Sequence, residues 1–197
     1  MKKLITSIAA IIALALPLAA FASTWNIDPD HSSVGFTVKH LMVSNVKGNF
    51  NKHTGIVEIN DKDITKSKVE VTIDTASINT NVQKRDDHLR SADFFDVAKY
   101  PTMTFVSKKV AKAGKNKLKV TGDLTLHGVT RPVVLDVEPI SNESKDPWGN
   151  IRRGTTATTK IDRKDFGLTW NKGLETGGVL VGDEITINLE IEMIKAK

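Results

Sequence analysis

The chain has 197 residues, with 28 basic against 23 acidic side chains for a net charge of +5, and no cysteine. The missing cysteine excludes disulfides, thiolate metal sites and a cysteine nucleophile together, so stability has to come from burial and backbone pairing. Basic and acidic residues are interleaved and form no basic patch apart from the KKVAKAGKNKLK stretch at Lys108 to Lys119, which argues against nucleic acid as a partner.

Residues 1–22 read as an export signal. Lys2 and Lys3 precede an apolar run over residues 4–18, and Ala20-Phe21-Ala22 then gives a small-x-small cleavage pattern before Ser23. The run is short for a bilayer span, and no cysteine follows it to carry a lipid anchor. The expectation is cleavage before Ser23 and delivery of residues 23–197 to the periplasm as one domain. Without Lys2 and Lys3, 26 basic residues face 23 acidic ones, so the mature charge is only +3.

From there a period of two dominates, the pattern of strands with one buried face. Val34, Phe36, Val38 and His40 alternate with Ser33, Gly35, Thr37 and Lys39. Val69, Val71 and Ile73 alternate with Glu70, Thr72 and Asp74. Leu118, Val120, Leu124 and Leu126 alternate with Lys119, Thr121 and Thr125, with Gly122 on the apolar face. Ile185, Ile187, Leu189, Ile191 and Met193 close the chain in the same way. Residues 46–50, 55–60, 102–110, 132–139 and 154–162 are further strand candidates. Turn residues separate them, including Lys52-His53-Thr54-Gly55 and Ala113-Gly114-Lys115-Asn116, the latter a solvated hairpin tip. Eight or more antiparallel strands in this length make a barrel or a sandwich.

One helix interrupts the pattern. Thr80 and Gln83 read as a capping box, predicting a helix over residues 81–90 with Val82 and Leu89 on one face, and Pro101 forbids helix beyond Tyr100. The connection over residues 75–100 is long for a hairpin, and loops of that length are commonly functional. Within it Phe94 and Phe95 sit between Asp93 and Asp96, while Arg85, His88 and Arg90 offer donors nearby. Two readings stand: a gate with headgroup-facing donors, or a plug in which Arg85 pairs with Asp93 or Asp96.

Catalytic patterns are lacking. No His spacing matches a metal motif, and there is no nucleophile elbow, phosphate loop or carboxylate pair at recognisable spacing. His40 reads as a hydrogen-bonded residue on an apolar strand face, His31 as part of a strand cap, and His53 and His127 as solvated loop residues. The inward positions are mostly Val, Ile and Leu. An eight-stranded barrel holds either a side-chain core or one ligand, and the residues alone leave both open.

Five phrases carry a family resemblance: WNIDPDHSSVGFTVKH (25–40), TASINTNVQKRDDHLRSADFFD (75–96), YPTMTFVS (100–107), GDLTLHGVTRPV (122–133) and IDRKDFGL (161–168). Together they resemble the YceI family of bacterial periplasmic proteins. That resemblance implies an all-β fold, a single antiparallel eight-stranded lipocalin-like barrel with one short helical connection. The likeness to lipocalins is one of architecture only, since no G-x-W motif stands at the first strand. It further implies a binding or carrier role, without enzymatic activity, for a long-chain lipid such as an isoprenoid quinone or polyprenyl phosphate. Val34, Phe36, Val38, His40, Val71, Ile73, Phe105, Leu124, Leu126, Ile187 and Leu189 are then expected to line the bore. Arg85, His88, Arg90, Phe94 and Phe95 are expected at its mouth. No cofactor or metal is expected beyond the bound polyisoprenoid. Partners are that lipid and transient contact with a membrane or membrane protein, with no nucleic acid; a dimer is compatible with the sequence. The alternative is a secreted, stress-related interaction protein with a packed core and no lipid.

Overall fold

A computed structural model describes residues 22–175 and 177–197, so the export signal expected over residues 1–22 lies almost wholly outside the described part. The longest strand, β12 (Val181–Lys195), is the spine of the fold; the shorter strands are numbered in chain order around it. One edge of β12 pairs with β11 (Ile151–Asp162) through an unbroken antiparallel register from Arg152↔Ile194 to Asp162↔Glu184. Its other edge carries two strands end to end, β1 (Ser23–Ile27) on residues 193–195 and β2 (Ser33–His40) on residues 181–190. These are one strand broken at Asp28, whose carboxylate turns back to accept from the Asp30 N–H.

The next two strands break at the same height. β3 (Ser44–Phe50) lies on β2, and β4 (His53–Ile59) lies on β1. β5 (Lys68–Asp74) lies on β4, and after a 3-10 turn at Thr75–Ser77 the two-residue β6 (Ile78–Asn79) lies on β3. The breaks are sewn together: the Asn51 and Lys52 amides donate to the Ser77 carbonyl and hydroxyl, and the Asp74 amide donates to the Lys52 carbonyl. Three full-length strands complete the ring, β7 (Thr102–Lys112), β8 (Leu118–Leu126) and β9 (Val129–Val137), with β9 joined to β11. Counting each broken pair once gives a closed antiparallel barrel of eight strands. A two-residue strand, β10 (Ser144–Lys145), adds to β11 outside it. The alternation-based strands all form. β1, β6 and β10, which the period did not single out, are short.

Helix α1 runs from Gln83 to Arg90, two residues shorter at its start than expected, and the capping box does not form. Asn81 takes a left-handed conformation (φ 60°) that swings Thr80 away from the N-cap place, which falls to Val82. Thr80 instead gives both its amide and hydroxyl to the buried Asp86 carboxylate. His53 is a second correction: it opens β4 opposite Ile73 and is 5% exposed, so it is a wall residue and not a solvated loop residue. His127 does sit in the β8–β9 turn but is half-buried, its ring 4.5 Å from Tyr100.

The apolar interior has two clusters. Trp25, Ile27, Val57, Ile59 and Met193 seal the end where the chain termini lie. The larger cluster fills the remainder and receives Leu89 of α1 together with Phe95.

Candidate binding cavity

Inside the barrel is a void of about 260 Å³ with an apolar surface, bordered by residues from all eight strands. That is close to the roughly 300–1,000 Å³ of ordinary ligand pockets. The β12 residues bordering it run from Val181 to Met193. The void therefore extends along much of that strand.

The expected bore positions fall on it. Val34, Phe36 and Val38 of β2, Val71 and Ile73 of β5, and Phe105 of β7 border the void. So do Leu124 and Leu126 of β8 and Ile187 and Leu189 of β12, with Phe94 and Phe95 at one end. Two inward glycines make room for flat rings: a Cβ at Gly122 would meet the Phe105 ring at 2.5 Å, and one at Gly48 would meet the Phe36 ring at the same distance. His40 departs from expectation. It ends β2 opposite Val181, half-buried, and does not border the void.

The mouth donors are also placed differently. Arg85, His88 and Arg90 do not border the void. Arg85 donates through Nε to the Thr80 hydroxyl at 2.7 Å and through Nη2 to the Thr80 carbonyl at 2.9 Å, and pairs with neither Asp93 nor Asp96. Arg90 donates to the Ala76 and Ile78 carbonyls at 2.8 and 2.7 Å and pairs with Asp87. Arg90 therefore staples α1 to the turn and strand between β5 and the helix, and Arg85 ties it to Thr80 just beyond β6. His88 donates through Nε2 to Asp93 at 2.8 Å and sets its ring edge-on to Phe94 and Trp170, at 5.0 and 4.9 Å. Phe95 meets Phe50 edge-on at 5.5 Å.

Arg163 is the site residue that sequence reasoning passed over. It is 3% exposed and is the only charged side chain among the described residues that borders the void. All five of its N–H groups are engaged: Nε with the Gly182 carbonyl, Nη1 with the Leu168 and Trp170 carbonyls, and Nη2 with the Val181 carbonyl and Asp183. It thereby fixes the segment bearing Trp170 against the start of β12. The usable signal was its place in the phrase IDRKDFGL.

Beyond the opposite, sealed end lies an ion network. Arg152 Nη1 is 2.6 Å from both Asp28 and Glu192, and its Nε is 2.7 Å from Asp146. Burial works to raise the Asp28 and Asp146 carboxyls, but hydrogen bonds from Arg152, joined by His31 and the Asp30 amide at Asp28 and by Asn150 and the Trp148 amide at Asp146, together outweigh it and hold both below the usual carboxylate range. His31 Nδ1 lies 2.8 Å from Asp28, and that hydrogen bond raises the imidazole above its ordinary value. Asp28, His31 and Glu192 are grouped closely enough to resemble a metal ligand set, but the Arg152 guanidinium already bridges the two carboxylates.

Comparison with known proteins converges on one family. The family model for the YceI-like domain matches residues 25–193. A UPF0312 protein of Vibrio parahaemolyticus is 45% identical over 170 residues, covering 85% of this chain and 89% of that protein. The crystal structure of BcnA from Burkholderia cenocepacia superposes with a TM-score of 0.74 at 26% identity, covering 84% of this chain and 98% of that one. A structure described as a polyisoprenoid binding domain from Saccharophagus degradans shares the fold, with a TM-score of 0.64 at 16% identity over 89% and 99% of the two chains.

Proposed function

The chain belongs to the YceI-like family, and from that membership together with the apolar bore we propose that it is a carrier for a long-chain polyisoprenoid lipid. The carrying observation is the elongated void, bordered by apolar positions of every strand and by one fully engaged charge. A fold relative described as polyisoprenoid-binding supports the reading at the level of architecture. At roughly 0.3 kcal/mol per heavy atom, a tail of about 20 carbons contributes about 6 kcal/mol and one of about 40 carbons about 12 kcal/mol. Those values correspond to dissociation constants of roughly tens of micromolar and about a nanomolar. Tail length therefore sets affinity, and binding without turnover is the activity.

The protein works in the periplasm, reached through cleavage before Ser23; N-terminal sequencing that begins at Met1 in exported protein would refute this. Mass spectrometry of lipid extracted from protein purified from its own host tests the carrier reading. A polyprenyl lipid in stoichiometric amount is expected, and a folded protein that carries no lipid and takes none up would overturn it.

A further inference from the structure

The turn between β2 and β3 puts three consecutive apolar side chains into water: Leu41, Met42 and Val43 are 39, 52 and 80% exposed. Single exposed apolar residues are ordinary, whereas a contiguous apolar tip rimmed by polar groups marks a contact surface. The backbone is strained to hold it there. The Val43 amide donates to the His40 carbonyl across the turn, and Leu41 and Met42 both take left-handed conformations, at φ 51° and 61°. Turns with two such residues favour Asn-Gly, because a Cβ crowds the backbone in that region. Leu-Met therefore lowers stability twice, through strain and through exposure. The bore gains nothing from it, since residues 41–43 do not border the void. Strain held without a packing reason is a mark of function.

The tip stands at the end of the barrel that Phe94 and Trp170 close. The Leu41 amide donates to the Leu180 carbonyl, and the Leu180 amide donates to the carbonyl of Lys172, two residues past Trp170. Three lysines lie on these segments: Lys39 on β2, Lys47 on β3 and Lys172. All three are exposed and, among the described residues, none pairs with a carboxylate. By contrast Lys108, Lys117 and Lys119 of the β7–β8 hairpin, at the opposite end, pair with Asp123, Glu138 and Asp136. Glu175 is the only carboxylate in the loop over residues 170–180, so the surface around the tip is cationic. We propose that the β2–β3 tip, with Lys39, Lys47 and Lys172, is a docking surface that seats the barrel end-on upon a bilayer of anionic phospholipid. The apolar tip enters the boundary of the acyl chains while the lysines meet the phosphates above it. A second copy of the chain fits poorly, because a two-fold contact would set the same lysines against one another. Docking needs no cargo in the bore; joined to the carrier reading, it brings the mouth to the membrane.

The test floats the full-length mature protein, stripped of lipid, with vesicles of phosphatidylglycerol and phosphatidylethanolamine or of phosphatidylcholine alone. Wild type is expected to bind the anionic vesicles roughly tenfold more tightly, an advantage that shrinks as salt rises. Leu41→Asn with Met42→Gly removes the apolar tip and installs the pair this turn prefers. That variant should melt no lower than the parent and bind anionic vesicles roughly tenfold more weakly. Lys39→Gln, Lys47→Gln and Lys172→Gln together should abolish the anionic preference, while Lys112→Gln with Lys115→Gln at the opposite hairpin should leave it intact. The added indole of Met42→Trp should be quenched by brominated acyl chains. Wild type that stays off anionic vesicles would overturn the proposal. So would parental binding by the Leu41→Asn, Met42→Gly variant, or an equal loss in the Lys112→Gln, Lys115→Gln variant. A dimer that forms without vesicles and disappears in Leu41→Asn, Met42→Gly would make the tip a contact between copies, and likewise overturn it. Failure of the carrier reading shows separately: the stripped protein would still bind vesicles but would neither take up nor transfer a polyprenyl probe.

Discussion

Phe94 and Trp170 lie 76 residues apart in the chain and 5.0 Å apart ring to ring, with His88 set edge-on to both. The three side chains tie the segment after α1 to the segment after β11 across one end of the bore. Arg163 holds the second segment from beneath through the Trp170 carbonyl.

Trp170→Ala should therefore open that end. Trp170 is only half-buried and Phe94 nearly fully buried, so the costs differ. Phe94→Ala is expected to lose about 3 kcal/mol of stability, and Trp170→Ala less. Lipid release should quicken in both, as followed by transfer of a fluorescent polyprenyl probe to acceptor vesicles. Release at the parental rate in folded Trp170→Ala would remove this end as the gate.

Arg85→Ala and Arg90→Ala should act on stability and not on lipid identity. Each guanidinium makes two charge-assisted bonds to the broken β5–β6 strand or to Thr80. Losing them should cost about 2 kcal/mol, or roughly 4–8 °C in melting temperature for a domain of this size. Hydrogen exchange should quicken first in α1. A changed lipid composition at constant melting temperature would restore these residues as headgroup donors.

Leu124→Trp tests the bore directly. Leu124 is buried on β8 and borders the void, so an indole there occupies space that a tail would use. Overpacking is expected to cost about 1–3 kcal/mol, leaving a folded barrel. Co-purified lipid should fall to a small fraction of the parent's, and parental lipid content would show that cargo lies elsewhere.

The ion network at the sealed end predicts a stability profile with two limbs. The His31 imidazole is raised, chiefly by its hydrogen bond with Asp28, so its contribution is complete below the ordinary imidazole value near 6.5 and is lost as pH rises through the raised one. Asp28 and Asp146 are lowered, so their contribution is complete above the ordinary carboxylate value and is lost as pH falls through the depressed one. His31→Ala should flatten the alkaline limb, seen as a smaller melting-temperature difference between mildly acidic and mildly alkaline buffer. Arg152→Ala should move the acid limb to higher pH, because burial then raises both carboxyls against only the remaining hydrogen bonds from His31, Asn150 and backbone amides.

Local alternation was enough to find the inward positions, and the family resemblance supplied the expectation that they surround a bore. Val71, Leu124 and Leu189 face inward because a strand allows only two faces and water selects one. What the sequence concealed was long-range. Nothing near Arg163 announces that it will gather carbonyls from Leu168, Trp170, Val181 and Gly182. His53 lay in a string of turn-forming residues, and only its register opposite Ile73 turns it into the wall. Thr80 and Gln83 carried a correct local motif, but the Thr80 hydroxyl found better partners in Asp86 and Arg85. In each case a local preference lost to a contact made elsewhere in the fold.

The unbroken β11–β12 ladder has a kinetic corollary. A chain threaded along that ladder leaves by sliding, wetting its apolar length step by step. Each methylene so exposed costs about 0.8 kcal/mol, so escape into water slows about tenfold for every two methylenes. An acceptor pressed against the mouth removes that toll, because the emerging tail passes from one apolar medium to another. Spontaneous loss and delivery thus become separate clocks: the first stretches steeply with tail length, and the second responds only weakly to it.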